Sequence, residues 1–187
     1  MRFRKLQSLE ELEEYRRGFK SAISTQTSDL SLGYLQSSHV VGVFDDLNKM
    51  MAGYTLGTTM PLRLLAFVPV DEQDGLRVPF AGEWTDCCEI TVAWKSPEVP
   101  LVFMSFYFWP HALIGVLKSG KKILLGHNQS KRLDRFYTGL GPATIYSGIS
   151  TFGLHSRLFA YNRWRIVLCI IGLWIYETPR RMLRGKE

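Results

Sequence analysis

Apolar positions in the first stretch of the chain recur at helical spacing: Leu9, Leu12, Tyr15, Phe19 and Ile23 form one stripe, with charged residues between them. Ser8 followed by Glu11 supplies the capping box that starts such a helix. After the polar loop "STQTSDLSLG" the pattern turns β-rich. "HVVGVFDD" and "KMMAGYTLGT" meet across Asp45-Asp46-Leu47-Asn48, which predicts an antiparallel hairpin. "MPLRLLAFV" reads as a short helix or lid, "PVDEQDGLRVPFAGEW" as a Pro- and Gly-broken excursion, and "CCEITVAW" as a strand. Ser96-Pro97-Glu98 has the grammar of a helix start, leading into an apolar helix over 101–118 kinked at Pro110. "KKILLGHN" predicts a buried strand, "SKRLDRFYTGLG" a helix capped by Ser130 and stopped by glycine, and "ATIYSGI" the next strand. Antiparallel strands come first and strands alternating with helices follow. The order predicts an α/β (α+β mixed) domain whose central mixed, mostly antiparallel sheet is flanked by helices.

A length of 187 residues fits one domain, with 46% hydrophobic and 21% charged residues placing it among folded chains. We expect residues 1–150 to form that domain and 151–187 to be an apolar and basic extension, packing on the domain or on a membrane surface. The run 101–117 approaches the ~20 residues a spanning helix needs, but Ser105, Pro110 and His111 interrupt it and favour a buried core helix. "RIVLCIIGLWIY" (165–176) is too short to span. Its Trp174 and Tyr176, with Trp164 and flanking arginines, suit a headgroup region; a buried strand and helix is equally open.

The net charge of +6 implies an acidic partner or an anionic surface. No interleaved aromatic-basic pattern of an RNA-binding sheet occurs, so nucleic acid is not expected. Cys87, Cys88 and Cys169 lack metal spacing, and adjacent Cys87-Cys88 is poor geometry for a mutual disulfide, so reduced thiols in the cytoplasm are expected. The N-terminus reads as no secretory signal, leaving the protein cytoplasmic or peripheral at the inner membrane face. The phosphate cradle GxxxxGK(S/T), the dinucleotide fingerprint GxGxxG, HExxH and GxSxG are all missing, and the four histidines are scattered. No metal and no bound cofactor is expected.

The element order, with "CEITVAW", an aromatic-rich apolar helix and "ILLGHNQSKRLDRFYTGLGPATIYSG", resembles the GNAT-fold acyltransferases. Within them it is most similar to the divergent branch of N-acyl amino acid synthases and autoinducer synthases. The resemblance implies a GNAT-like sheet and transfer of an acyl group, long-chain in that branch, from an acyl carrier protein or CoA thioester to a small amine. Acyl-CoA or acyl-phosphopantetheine would then be a substrate. One departure stands out: the pyrophosphate signature Q/R-x-x-G-x-G/A is replaced by "SPEVPLVFMSF", where Pro97 and Pro100 remove backbone donors.

Attack of an amine on a thioester needs a proton acceptor, oxyanion donors and help for the leaving thiolate. The resemblance places Glu89 as the base; otherwise it is an outward-facing strand residue. It places Tyr137 beside the leaving sulfur; otherwise Tyr137 closes a short helix against the sheet. Val92, Ala93 and Trp94 would pair with the pantetheine amides and Asn128 would bind that arm, Asn128 otherwise being a turn residue. Phe103, Phe106 and Trp109 would line an acyl pocket or serve as plain core. Arg63, Lys131, Arg132 and Arg135 are available to an anionic partner. A non-catalytic lipid- or carrier-binding protein at membranes is the alternative. An open V-shaped cleft would favour the enzyme, and one filled by Trp94, Phe108 and Trp109 the binder.

Overall fold

The computed structural model describes residues 1–22, 30–129 and 141–172. Seven strands form one sheet: β1 (Arg2–Lys5), β2 (His39–Phe44), β3 (Met50–Gly57), β4 (Cys87–Lys95), β5 (Ile123–Asn128), β6 (Ala143–Ile149) and β7 (His155–Asn162). Their spatial order is β1-β2-β3-β4-β5-β7-β6. Every neighbouring pair is antiparallel except β4 and β5. The sheet is therefore mixed and mostly antiparallel, as the pattern predicts.

The first helix, α1 (Leu9–Ala22), buries Leu12, Tyr15 and Phe19 along the expected stripe. Its capping box is formed, with Glu11 N–H donating to Ser8 Oγ at 3.2 Å and Ser8 N–H to Glu11 Oε2 at 3.2 Å. The β2–β3 hairpin is present. Asp45 Oδ1 accepts from the Leu47 and Lys49 amides and Asn48 takes φ 61°, a conformation asparagine tolerates. "MPLRLLAFV" contains a 3₁₀ turn over Arg63–Phe67, and a single helical turn, α3 (Val70–Gln73), follows it.

The structure corrects three sequence-based expectations. Part of the polar loop before the hairpin is helical: α2 (Leu32–Ser37) is capped by Ser31, whose Oγ accepts from Tyr34 N–H at 3.2 Å. The helix after β4 covers the expected 101–118, but Ser96 is not its cap. Ser96 N–H continues the sheet by donating to Met51 O, and the helix begins at Leu101 after Pro100. That helix comprises α4 (Leu101–Phe103), a π turn over Met104–Phe108 and α5 (Trp109–Lys118). Pro110 lies just past the π turn, whose wider ladder accommodates a residue without an N–H. Finally, "HSRLFAYN" is a strand, β7, inserted between β5 and β6. The sheet thus continues past residue 150, where we placed a boundary. Residues 163–172 form α6, begun by Asn162 Oδ1 accepting from Arg165 N–H at 3.0 Å.

The two sheet faces are packed differently. On one, α5 and α6 cover a continuous apolar core that includes Val43, Tyr54, Leu56, Cys88, Phe108, Val116, Leu124, Phe159 and Ile166. On the other there are two separate clusters. One gathers Leu12, Tyr15, Leu35, Val40 and Trp94 beneath α1 and α2; the second gathers Leu64, Phe67, Cys87, Ile123, Leu125 and Leu158 beneath the 58–86 excursion. All three cysteines are buried and free, and burial pushes the Cys87 and Cys88 thiols up to about 11 and about 12.

Candidate functional site

The gap between those two clusters coincides with a break in the sheet. β4 and β5 pair only over Cys87–Ile123, Cys88–Leu124 and Glu89–Leu125. Beyond Glu89 the strands separate, and β4 has β3 on one side and no strand on the other among the described residues. The splay is reinforced by a bulge. Tyr54 of β3 faces two residues of β4 because the register shifts between Gly53–Trp94 and Thr55–Thr91. Within the bulge Val92 has φ 53°, strained for a β-branched residue. Its carbonyl is held by the buried Tyr15 hydroxyl, which donates at 2.6 Å, and Thr55 Oγ1 lies 3.0 Å from the same hydroxyl. Burial holds the Tyr15 phenol far above its ordinary pKa, so it remains a donor.

The splay opens a cleft of about 220 Å³ whose wall includes Arg63, Phe67, Thr91, Val92, Trp109 and His127. That volume lies somewhat below the ~300–1,000 Å³ of drug-sized sites. Arg63 is the charged side chain of that wall among the described residues, and the ring of Phe67 lies 5.7 Å from its guanidinium carbon. His127 stacks on Phe67 at 4.0 Å between centroids and hydrogen-bonds Ser156 Oγ through Nε2. Burial, assisted by the charge of Arg63, lowers the His127 pKa to about 4, so this imidazole is neutral at physiological pH.

Glu89 lies directly behind the wall. It is neither outward-facing nor open to the cleft: its exposure is 0%. Three donors reach its carboxylate at 2.8 Å. The Tyr34 hydroxyl and Arg63 N–H go to Oε1, and Leu64 N–H goes to Oε2. Burial raises the Glu89 pKa, and these hydrogen bonds oppose the rise. Gly57, paired opposite in β3, makes room for the arrangement; a Cβ there would lie 2.8 Å from Oε1 and 3.0 Å from the Tyr34 oxygen. Tyr34 also contacts Thr91 Oγ1 at 2.8 Å. Glu89 and Thr91 share a strand face because they are two residues apart.

Of the other sequence candidates, Val92, Ala93 and Trp109 line the cleft. Trp94 does not fill it. It is buried beneath α1, edge-on to Tyr15 at 6.1 Å, and its Nε1–H finds no acceptor among the described residues. Asn128 is buried, and its chain neighbours His127 and Gln129 line the cleft. Phe103 stacks on Phe3 and Tyr107 at 5.9 and 5.6 Å, at the β1 side of the helix, and Phe106 is half-buried. Tyr137, Lys131, Arg132 and Arg135 lie outside the described residues. Sequence reasoning passed over Tyr34, Thr91 and His127. The Ser31 cap and the two-residue spacing from Glu89 were the available signals for the first two.

The turn after β4 forms no phosphate cradle. Lys95 Nζ folds back onto it, donating to Ser96 O at 3.3 Å and Val99 O at 3.1 Å, and the helix begins only after Pro100. Among the described residues no group of three or more His, Cys, Asp or Glu could hold a metal.

The mixed sheet with its parallel, splayed β4–β5 pair is the fold of GNAT acyltransferases, and the solved structures most similar to it bear this out. FeeM, an N-acyl amino acid synthase from uncultured soil microbes, superposes with a TM-score of 0.67 at 16% identity, covering 93% of this chain and 98% of FeeM. TofI gives 0.63 at 11% identity over 91% of this chain and 96% of its own. A GNAT-family protein from Desulfovibrio desulfuricans gives 0.57 at 14% identity over 87% and 98%. The divergent branch expected from sequence is thus represented among the structural neighbours. No protein-family profile and no curated protein matches the chain.

Proposed function

We propose that the protein is an N-acyltransferase that moves an apolar acyl group from a pantetheine thioester, carried by acyl carrier protein or CoA, to a small amine. The observation that carries this reading is the open cleft between β4 and β5, with a β4 edge in front that is unpaired among the described residues and a buried carboxylate behind. The free edge around Val92 and Ala93 offers backbone groups to the pantetheine amides. Ile90, Trp109 and Phe67 give the acyl end an apolar wall. Since the turn after β4 lacks a phosphate cradle, the donor is held through its pantetheine arm and acyl chain rather than its nucleotide. Glu89 serves as the ultimate proton acceptor, and Tyr137 assists the departing thiolate. The likeness to FeeM supports the reaction class. Lipids extracted from cells expressing the wild type, Glu89→Gln and Tyr137→Phe test it by mass spectrometry. New acylated amines in the wild type, reduced in both variants, are expected; identical profiles in all three remove the assignment.

The proposal includes a membrane contact. Along α6, Ile166 and Cys169 face the core while Trp164, Leu168 and Ile171 are 79%, 65% and 46% exposed. Their spacing makes one apolar stripe, flanked by Arg163 and Arg165, and such a stripe suits an anionic interface. Co-sedimentation with anionic vesicles is expected for the wild type and reduced for Trp164→Ser/Leu168→Ser. Equal sedimentation of the two proteins would remove this contact.

A further inference from the structure

We propose that Thr91 and Tyr34 form a proton relay from the cleft to Glu89, so that the buried carboxylate takes the acceptor amine's proton without touching the amine. The inference rests on the acyl-transfer reading and adds the path that reading requires. Glu89 is completely buried and its carboxylate is already reached by three donors, so a substrate in the cleft cannot contact it directly. Thr91 is on the cleft wall, and Tyr34 bridges Thr91 to Glu89 with 2.8 Å on each side.

The direction of the chain follows from what each group can donate. An ionised carboxylate only accepts, so the single Tyr34 proton goes to Glu89 Oε1. The contact between Tyr34 and Thr91 must then be donated by the threonine hydroxyl. Both protons point inward, and Thr91 Oγ1 retains acceptor capacity for a proton arriving from the cleft. The same sheet face holds a second tyrosine–threonine pair, Tyr15 with Thr55, but that pair ends on the Val92 carbonyl, which takes up no proton. The Tyr34 pair is the one that leads to a base.

In the reaction, the amine nitrogen forms a bond to the thioester carbonyl carbon, and the carbonyl π pair moves onto oxygen. The proton then carried by that nitrogen passes to Thr91 Oγ1, the Thr91 hydroxyl proton to the Tyr34 oxygen, and the Tyr34 proton to Glu89. Collapse re-forms the carbonyl, breaks the C–S bond and leaves its electron pair on sulfur. The Glu89 proton returns along the same path to the thiolate, giving one amide and one thiol and restoring the carboxylate.

The test uses purified full-length protein with an acyl carrier protein or CoA thioester and a panel of small amines. Thr91→Val and Tyr34→Phe are each expected to lower kcat about 100-fold, at the low end of acid–base contributions, with KM for the thioester unchanged and melting curves cooperative. Thr91→Ser, which restores a hydroxyl, should recover most of the rate. The wild type should show a solvent deuterium effect with a curved proton inventory, as expected for several protons in flight. Near-wild-type turnover by Thr91→Val or Tyr34→Phe overturns the relay while leaving acyl transfer standing, and so does a linear inventory in the wild type. A wild type inactive toward every amine overturns the relay and the acyl-transfer reading together.

Discussion

The two faces of the sheet contrast in how they bury polarity. Under α5 and α6 one apolar cluster runs across from β2 to β7 without interruption. Under α1, α2 and the 58–86 excursion, the apolar residues divide into two clusters. Among the buried polar residues on that side are Thr55, Glu89 and Thr91, linked through the hydroxyls of Tyr15 and Tyr34. A buried polar seam of this kind is tolerable only when its members satisfy one another, and these do. The uninterrupted face is therefore the one whose truncation should cost most, and the interrupted one is where the proposed chemistry would sit.

Truncation on the continuous face should produce the largest loss of stability. Phe108→Ala, at a fully buried ring edge-on to Tyr54, is expected to cost about 3–5 kcal/mol by urea unfolding. Glu89→Ala should cost less, about 2–3 kcal/mol. It strands the donors of Tyr34, Arg63 and Leu64, but it also removes a buried charge. If Glu89→Ala proves more damaging than Phe108→Ala, the division of labour between the faces is wrong. Gly57→Ala comes next, at about 1–2 kcal/mol of overpacking, and should reduce acyl transfer by displacing both Glu89 and Tyr34.

Titration sharpens the contrast within the interrupted face, because Glu89 and His127 act with opposite sign. Glu89 has a raised folded pKa, so its favourable contribution is present at low pH and fades as pH rises from the ordinary glutamate value through the folded one. His127 has a depressed folded pKa, so its contribution is present above about 6.5 and is lost as pH falls toward about 4. Stability measured against pH should therefore lose its high-pH decline in Glu89→Gln and its acid decline in His127→Gln. The acid limb of the rate profile should lie above the ordinary glutamate range and vanish in Glu89→Gln; a limb that persists there would assign the base elsewhere. The smallest change in stability, within about 0.5 kcal/mol, is expected for Trp164→Ser on exposed α6.

Much of the fold was legible because it depends on local periodicity. The α1 stripe, the β2–β3 hairpin and the β4 strand each follow from spacing that a few residues suffice to display. β7 was not legible. "HSRLFAYN" pairs with β5 and β6, which lie far from it in sequence or fold back onto it, and its own pattern is too short to declare a strand. The helix after β4 lies where its apolar run predicts, but its cap was misread. Ser96 has the residue type of a cap, and its Oγ accepts from Glu98 N–H at 3.3 Å, but that contact closes only a turn and the helix begins after Pro100.

The site divides along the same line. Glu89 stands out in the sequence as a lone acid in an apolar strand, and its spacing puts Thr91 on the same face. The missing phosphate signature was likewise readable, since prolines remove donors wherever they stand. What the residues by themselves determined was the alternation that builds the sheet and the chemical types available to it. Only the tertiary structure decided that Tyr34, 55 residues away, would bridge Glu89 to Thr91, that Gly57 would leave space for them, and that β4 and β5 would separate just beyond Glu89. These are contacts between distant segments, fixed by packing rather than by spacing along the chain.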